Sequence, residues 1–320
     1  MKPVNVYRGK LLNIAKLILL PGTLGFIIYK LWVAYSIPDL IAGFAFEWTI
    51  QHCIILALGL LLMPFNWWLE THKWRILMQK HETVTGHQSW QSVCTGIALS
   101  IITPNQMGDI VGKAIYLKSY DKVKGAVVSL LGGLAQTIAS VTFGLLSIWW
   151  LAWETRNFNV LLLIGGYVII ALALTGVYYA FFNIGWLEKL LRWQKIKTYV
   201  EAFTHYTAIE LRGLVLLSLA RLCVFSFQYF LLLQFFNVDI SLFNALLCIS
   251  SIFLVQGFVP SFILVQIGVR GAAALFFFGL FSSNTAGILL AAYGLWIVNI
   301  MLPALPGLYY LLKLKWSNPS

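Results

Sequence analysis

Apolar runs of near bilayer-spanning length recur from one end of this chain to the other, and that recurrence leaves few folds open. A crossing helix needs about 20 apolar residues. Such runs fall at Leu11–Trp32, Ile50–Leu69, Val123–Trp153, Val160–Phe182, Leu214–Phe236 and Ala286–Leu312. In hydrocarbon every backbone N–H and C=O has to be paired within the protein, so these runs predict α-helices. The charge content agrees: 10% of the 320 residues are charged, against about 25% in ordinary soluble domains. The expected fold is an all-α polytopic membrane protein, with six full transmembrane helices in one integral domain over residues 1–320.

Two polar stretches bearing Pro and Gly interrupt the pattern. The first is Thr103-Pro104-Asn105-Gln106-Met107-Gly108-Asp109, inside Ser89–Tyr120. The second runs from Val259-Pro260-Ser261 to Gln266-Ile267-Gly268-Val269-Arg270, inside Leu242–Phe281. The arms of Ser89–Tyr120 are too short to cross, which predicts a re-entrant hairpin. The arms of Leu242–Phe281 are longer and leave open a hairpin or a pair of short spans. Irregular backbone persists at membrane depth only inside protein or beside a water-filled cavity, and paired breaks point to a substrate site. Three predicted spans separate the breaks, so the two hairpins enter from opposite faces in an inverted-repeat arrangement.

Basic residues orient the chain. Lys2, Arg8, Lys10, Lys16, Lys73, Arg75, Lys80, Lys113, Lys118, Lys122, Lys124, Lys189, Arg192, Lys195, Lys197, Arg212, Lys313 and Lys315 fall on one side, eighteen of the 22. Only Lys30 and Arg156 fall on the other. This asymmetry places both termini in the cytoplasm. The net charge of +11 then reflects positive-inside bias and anionic headgroups, not nucleic-acid binding. The first apolar run resembles a signal peptide, but Lys16 and Lys30 bracket it, so it is expected to be retained. The loop Asn183–Arg212 mixes Trp186, Leu190, Leu191, Trp193 and Tyr199 with Lys and Glu, and reads as an amphipathic cytoplasmic helix or a simple connector.

Arg221 and Arg270 are the two basic residues left inside apolar segments, and Asp109 is the acidic residue at comparable depth. The remaining carboxylates, Glu70 among them, read as span-end or loop residues. Charges within the membrane are costly and mark functional candidates. Helix N-termini freed at the breaks, with Lys113 and Arg270 beside them, suit an anionic headgroup, and Arg suits bidentate phosphate contact. The expected substrate-binding set is Arg270, Lys113, Asp109, Arg221, Gln266, Asn105 and Gln106, with Pro104, Gly108, Pro260 and Gly268 shaping the hairpins. Two alternatives stand beside it: an Asp109–Arg270 ion pair that only locks the hairpins, and an Arg221 that snorkels to the cytoplasmic edge. Gln136, Gln228 and Gln256 read as interhelical hydrogen-bonding residues. Cys53, Cys94, Cys223 and Cys248 read as small buried hydrophobes.

Catalytic arrangements are poor. His72, His81 and His87 match no metal-binding spacing, and no G-x-S-x-G, phosphate-binding loop or paired intramembrane carboxylate occurs. The expectation is a protein that is not an enzyme and uses no cofactor or metal.

The segment Thr103–Asp109, followed by Gly112-Lys113-Ala114, Lys118 and Leu130-Leu131-Gly132, resembles the first signature of the lysylphosphatidylglycerol synthase transmembrane (flippase-like) family. Pro260-Ser261 with Gln266-Ile267-Gly268-Val269-Arg270-Gly271 resembles the second, and Leu302-Pro303 with Pro306-Gly307 resembles the family's last span. The resemblance covers nearly the whole chain. It implies a lipid-translocating module of a bacterial or archaeal plasma membrane. In the aminoacyl-phospholipid members a soluble cytoplasmic domain makes the lipid; the chain ends at Ser320 without one, so synthase activity is not expected. The expected function is transport of an anionic or zwitterionic phospholipid or a polyprenyl-phosphate-linked lipid. The alternatives are a membrane transferase acting on a lipid headgroup and a non-transporting scaffold of envelope lipid synthesis. Expected partners are membrane lipids, no nucleic acid, and either a homo-oligomer or a separate lipid-modifying enzyme.

Overall fold

The computed structural model describes residues 48–103, 106–156, 159–185, 201–258 and 263–314. The expected span Leu11–Trp32 and most of the loop Asn183–Arg212 lie outside the described residues. The helices are α1 (Ile50–Met78), α2 (Gly86–Ile102), α3 (Met107–Ala114), α4 (Lys122–Arg156), α5 (Val160–Phe182) and α6 (Ala208–Phe235). They continue with α7 (Leu242–Phe258), α8 (Ile263–Phe278), α9 (Thr285–Trp296), a π turn (Ile297–Met301) and α10 (Leu302–Lys313). Among the described residues five segments are long and apolar enough to cross a membrane: α1, α4, α5, α6 and the continuous Thr285–Lys313. Each overlaps one of the five expected spans that lie within the described residues, and α1 runs past the expected end at Leu69.

The first break is a hairpin, and glycine makes it possible. Thr103 ends α2 by donating its Oγ1 to the Leu99 carbonyl at 2.9 Å and accepting from the Gly108 N–H at 2.7 Å. Gln106 then turns the chain with φ +57°. The arms return antiparallel at backbone contact. A Cβ on Gly112 would lie 2.6 Å from the Gly96 nitrogen, and one on Gly108 would overlap the Leu99 carbonyl. The second break joins two helices of 17 and 16 residues, antiparallel again, with the Cys248 thiol donating to the Phe277 carbonyl at 3.3 Å. At about 1.5 Å per residue each is shorter than a hydrocarbon core of about 30 Å.

The two hairpins are copies in register. Three of their four helix ends are offset by 156 residues, Gly86 to Leu242, Ile102 to Phe258 and Met107 to Ile263, while the second arm of the later hairpin runs on to Phe278. The sequence keeps Pro104 with Pro260 and Gly112 with Gly268 at the same interval. Helices α1 and α6, which precede the hairpins, cross antiparallel through Gln228 to the Gly59 carbonyl and Arg221 to Asn66, and Tyr206 just ahead of α6 reaches the Leu77 carbonyl. The halves are therefore inverted, as two spans of opposite direction require. Each half also clasps the other. Gly144 of α4 seats on α7, where a Cβ would lie 2.9 Å from the Ser250 carbonyl. Gly307 of α10 seats on α2, where a Cβ would lie 3.0 Å from Ala98 Cβ. Small residues let spans approach this closely where no hydrophobic drive separates helix from lipid.

Helix α5 stays outside this assembly. Only Leu174 and Phe181 of its 23 residues are buried, and it attaches to α4 by the Tyr167 hydroxyl on the Leu146 carbonyl and the Trp149 indole on the Leu163 carbonyl. The cysteines divide: Cys94 and Cys248 are buried, whereas Cys53 and Cys223 are exposed on faces turned away from the core, which corrects the expectation that all four are buried.

One loop contact yields a pH prediction. The Glu82 carboxylate accepts from the backbone N–H groups of Lys118, Ser119 and Tyr120 at 2.8–3.1 Å, tying the α1–α2 turn to the segment after α3. Partial burial pushes this carboxyl up, but the three N–H donors outweigh it and hold it below its ordinary value. Its contribution is therefore present above the unfolded value of about 4.3 and is lost as pH falls through the folded one. Glu82→Gln is expected to lower the unfolding temperature at pH 7, and the gap to the native protein should close below about pH 4. A gap that persists unchanged in acid would show that the carboxylate charge is not what orders the loop.

Candidate functional site

The site begins on α1. Asn66, Glu70 and Lys73 lie at helical spacing on one face of an otherwise apolar helix. All three are buried, with exposures of 0%, 5% and 2%. Glu70 is the hub. Its Oε1 accepts from Lys113 Nζ at 2.7 Å, and its Oε2 from Lys73 Nζ at 2.9 Å and Arg221 Nη1 at 2.8 Å. Lys113 also reaches Asp109 Oδ2 at 2.6 Å, one turn back on α3. Burial makes each of these ions depend on its partners, since desolvation is repaid only by close geometry.

Arg221 is fixed on three sides. Its Nε donates to Asn66 Oδ1 at 2.9 Å, its Nη1 holds Glu70, and its guanidinium lies over the Trp67 ring at 4.6 Å and the Phe225 ring at 5.3 Å. It points into the protein, not to the cytoplasmic edge. The amide chain continues to the π turn. Asn66 donates to Asn299 Oδ1 at 3.1 Å, and Asn299 donates to Gln228 Oε1 at 2.6 Å. Pro303 has no N–H to offer the carbonyl four residues back. That carbonyl belongs to Asn299, and the Trp67 indole takes it at 2.9 Å. The missing hydrogen bond, the π turn and the inward Asn299 thus have one cause, in keeping with π turns at functional sites.

These groups border two adjoining cavities of about 260 and 280 Å³. The cavities share Gln106, Gln136, Ser140, Arg221 and Phe253, and together form one chamber between the hairpins. One lobe holds Arg221, Arg270, Gln256 and Asn299; the other holds Glu70, Lys73, Asp109 and Lys113. Gly133, Thr137 and Phe258 line the second lobe and are exposed, so the chamber is open beside α4 and α7.

The chamber gathers Arg270, Lys113, Asp109, Arg221 and Gln106 from the expected set. Pro104, Asn105, Pro260 and the side chain of Gln266 lie outside the described residues. Gly108 is the close-approach residue of the first hairpin, whereas a Cβ on Gly268 would meet nothing within 4 Å. The Asp109–Arg270 lock is not formed. Asp109 is paired with Lys113 on its own helix, while Arg270 has no acidic partner among the described residues and its Nε is buried without a hydrogen bond. Gln228 does bridge helices, and Gln136 reaches the Ser218 carbonyl at 3.4 Å, while Gln256 lines the chamber.

Glu70 and Lys73 are corrections to the sequence reading. The sequence places Glu70 at a span end and Lys73 in a cytoplasmic segment because the apolar run stops at Leu69; α1 instead continues to Met78 and buries both. The usable signal was the Asn66, Glu70, Lys73 stripe, whose i, i+4, i+7 spacing marks one helix face. Among the described residues no group of three or more His, Cys, Asp or Glu is placed to hold a metal ion.

No curated protein and no solved structure matches this sequence. The family described as Lysylphosphatidylglycerol synthase TM region matches residues 13–307, which spans both hairpins, the chamber and most of the last crossing segment. This multi-pass membrane protein belongs to that family.

Proposed function

We propose that this protein moves a phosphate-bearing lipid across the bilayer of a bacterial or archaeal plasma membrane, with both termini in the cytoplasm. The observation that carries the reading is a charged chamber between two inverted hairpins, open beside α4 and α7. Such a shape lets a headgroup enter among Arg221, Arg270 and Lys113 while the acyl tails stay in hydrocarbon. Discontinuous elements meeting at depth are the usual place for a substrate in inverted-repeat transporters. Arg270, with no acidic partner among the described residues, supplies a guanidinium fork for phosphate, and Asp109 keeps Lys113 oriented.

The test is lipid movement in proteoliposomes with fluorescent anionic and zwitterionic phospholipids. Arg270→Ala should lower the rate on the order of tenfold or more, as loss of a buried charged contact does. Asp109→Asn should lower it less, because Glu70 still holds Lys113. Movement that is unchanged in Arg270→Ala would remove the chamber from the path.

A further inference from the structure

The chamber's charges do not balance, and the imbalance selects among headgroups. This step rests on the reading above that the chamber holds a lipid headgroup. Lys73, Lys113, Arg221 and Arg270 line the two lobes, against Glu70 and Asp109. Four cations and two carboxylates leave two positive charges in excess among the described residues. The turn residues 104–105 and 259–262 carry no ionisable side chain. The pairing pattern locates the surplus. Glu70 is shared by three cations, Asp109 is held by Lys113, and Arg270 has no acidic partner among the described residues.

We propose that the chamber takes a lipid whose headgroup is a phosphate with two negative charges and no ammonium, a phosphate monoester or a diphosphate, and that it rejects zwitterionic and aminoacylated headgroups. A phosphate monoester has its second pKa near 6 and is close to dianionic at neutral pH. Two negative charges cancel the surplus, and Arg270 presents the planar fork that binds phosphate through two N–H groups. A phosphodiester with a single charge leaves one cation uncompensated. An ammonium entering with the phosphate restores the surplus beside Lys73, Lys113, Arg221 and Arg270, and a lysyl headgroup with net positive charge enlarges it. In an interior of low effective dielectric such a mismatch is far more costly than in water.

The test reconstitutes the native chain in liposomes and follows phosphatidic acid, a short polyprenyl phosphate, phosphatidylglycerol, phosphatidylethanolamine and lysylphosphatidylglycerol, with labelled inorganic phosphate as the lipid-free arm. The two monoesters should move on the order of tenfold faster than the amine-bearing lipids. Arg270→Gln should bring phosphatidic acid close to phosphatidylglycerol, and Arg270→Lys should keep the native preference for charge. Should Arg270→Gln fail to fold, melting of the native protein in mixed micelles serves instead: phosphatidic acid should raise the midpoint and lysylphosphatidylglycerol should not. Amine-bearing lipids moving as fast as the monoesters would overturn this inference while leaving lipid translocation standing. No movement of any lipid by folded protein would overturn the translocation reading and this one with it. Inorganic phosphate crossing as readily as the lipids would overturn the lipid assignment and keep the phosphate chemistry.

Discussion

Glu70→Gln should lower the unfolding temperature of the detergent-solubilised protein on the order of 10 °C, or leave no folded protein to measure. The carboxylate accepts from Lys73, Lys113 and Arg221 at 2.7–2.9 Å, and all four side chains are largely enclosed. Breaking one buried ion pair typically costs about 3–5 kcal/mol, because the surviving charge has lost its compensation. Here one substitution strands Lys73 and Arg221 facing each other and leaves Lys113 with Asp109 alone, so the cost belongs at the upper end of that range. The amide of Gln keeps the shape and one acceptor, which isolates charge as the cause. Adding Lys73→Gln should recover part of the loss, since it removes one of the two stranded charges. Intrinsic Trp fluorescence during heating reads both variants. A Glu70→Gln protein that melts with the native one would mean that Lys73 and Arg221 are compensated elsewhere.

Gly112→Val should be nearly as damaging and should abolish lipid movement. Its side chain would have to occupy the space of the Gly96 backbone, and neither arm can yield without opening the turn at Gln106. Overpacking a core costs about 1–3 kcal/mol where side chains can shift, and backbone against backbone leaves no such relief. Because α3 carries Asp109 and Lys113, splaying the arms also pulls both from Glu70. Gly133→Ala is the matched control: nothing lies within 4 Å of a Cβ there, and Ala is the better helix former by about 1 kcal/mol. Equal stability losses in the two variants would detach the hairpin contact from the effect.

Much of this architecture was written in the sequence, and the parts that were not have physical reasons. The spans follow from run length alone, and the first hairpin follows from Pro104 and Gly108 in arms too short to cross. Arg221 and Arg270 were visible because a lone Arg in an apolar run has no bland surroundings. Glu70 and Lys73 were not, because a run that ends in polar residues looks the same whether the helix stops or continues into protein. Their burial depends on Ser218, Lys113 and Arg221, which arrive from other helices. The pairing of Asp109 could not be read from depth either. Lys113 lies one turn away on the same helix, and local geometry decided against Arg270. The repeat interval of 156 residues is faint in the sequence because few residues keep it, Pro104 with Pro260 and Gly112 with Gly268 among them, while Lys113 and Arg270 stand one position out of register.

The reciprocal seating of Gly144 and Gly307 also fixes an order of events during synthesis. The α2 surface that receives Gly307 around Cys94 and Ala98 is translated about 200 residues before α10. At 5–20 residues per second that is a wait of roughly 10–40 s. Throughout it, the first hairpin sits in the membrane with its receiving face uncovered, and only the final helix can close it. The chain is thus committed to finishing its translation before its first half can mature, and a ribosome that stalls ahead of α10 leaves behind an open hairpin for quality control to find.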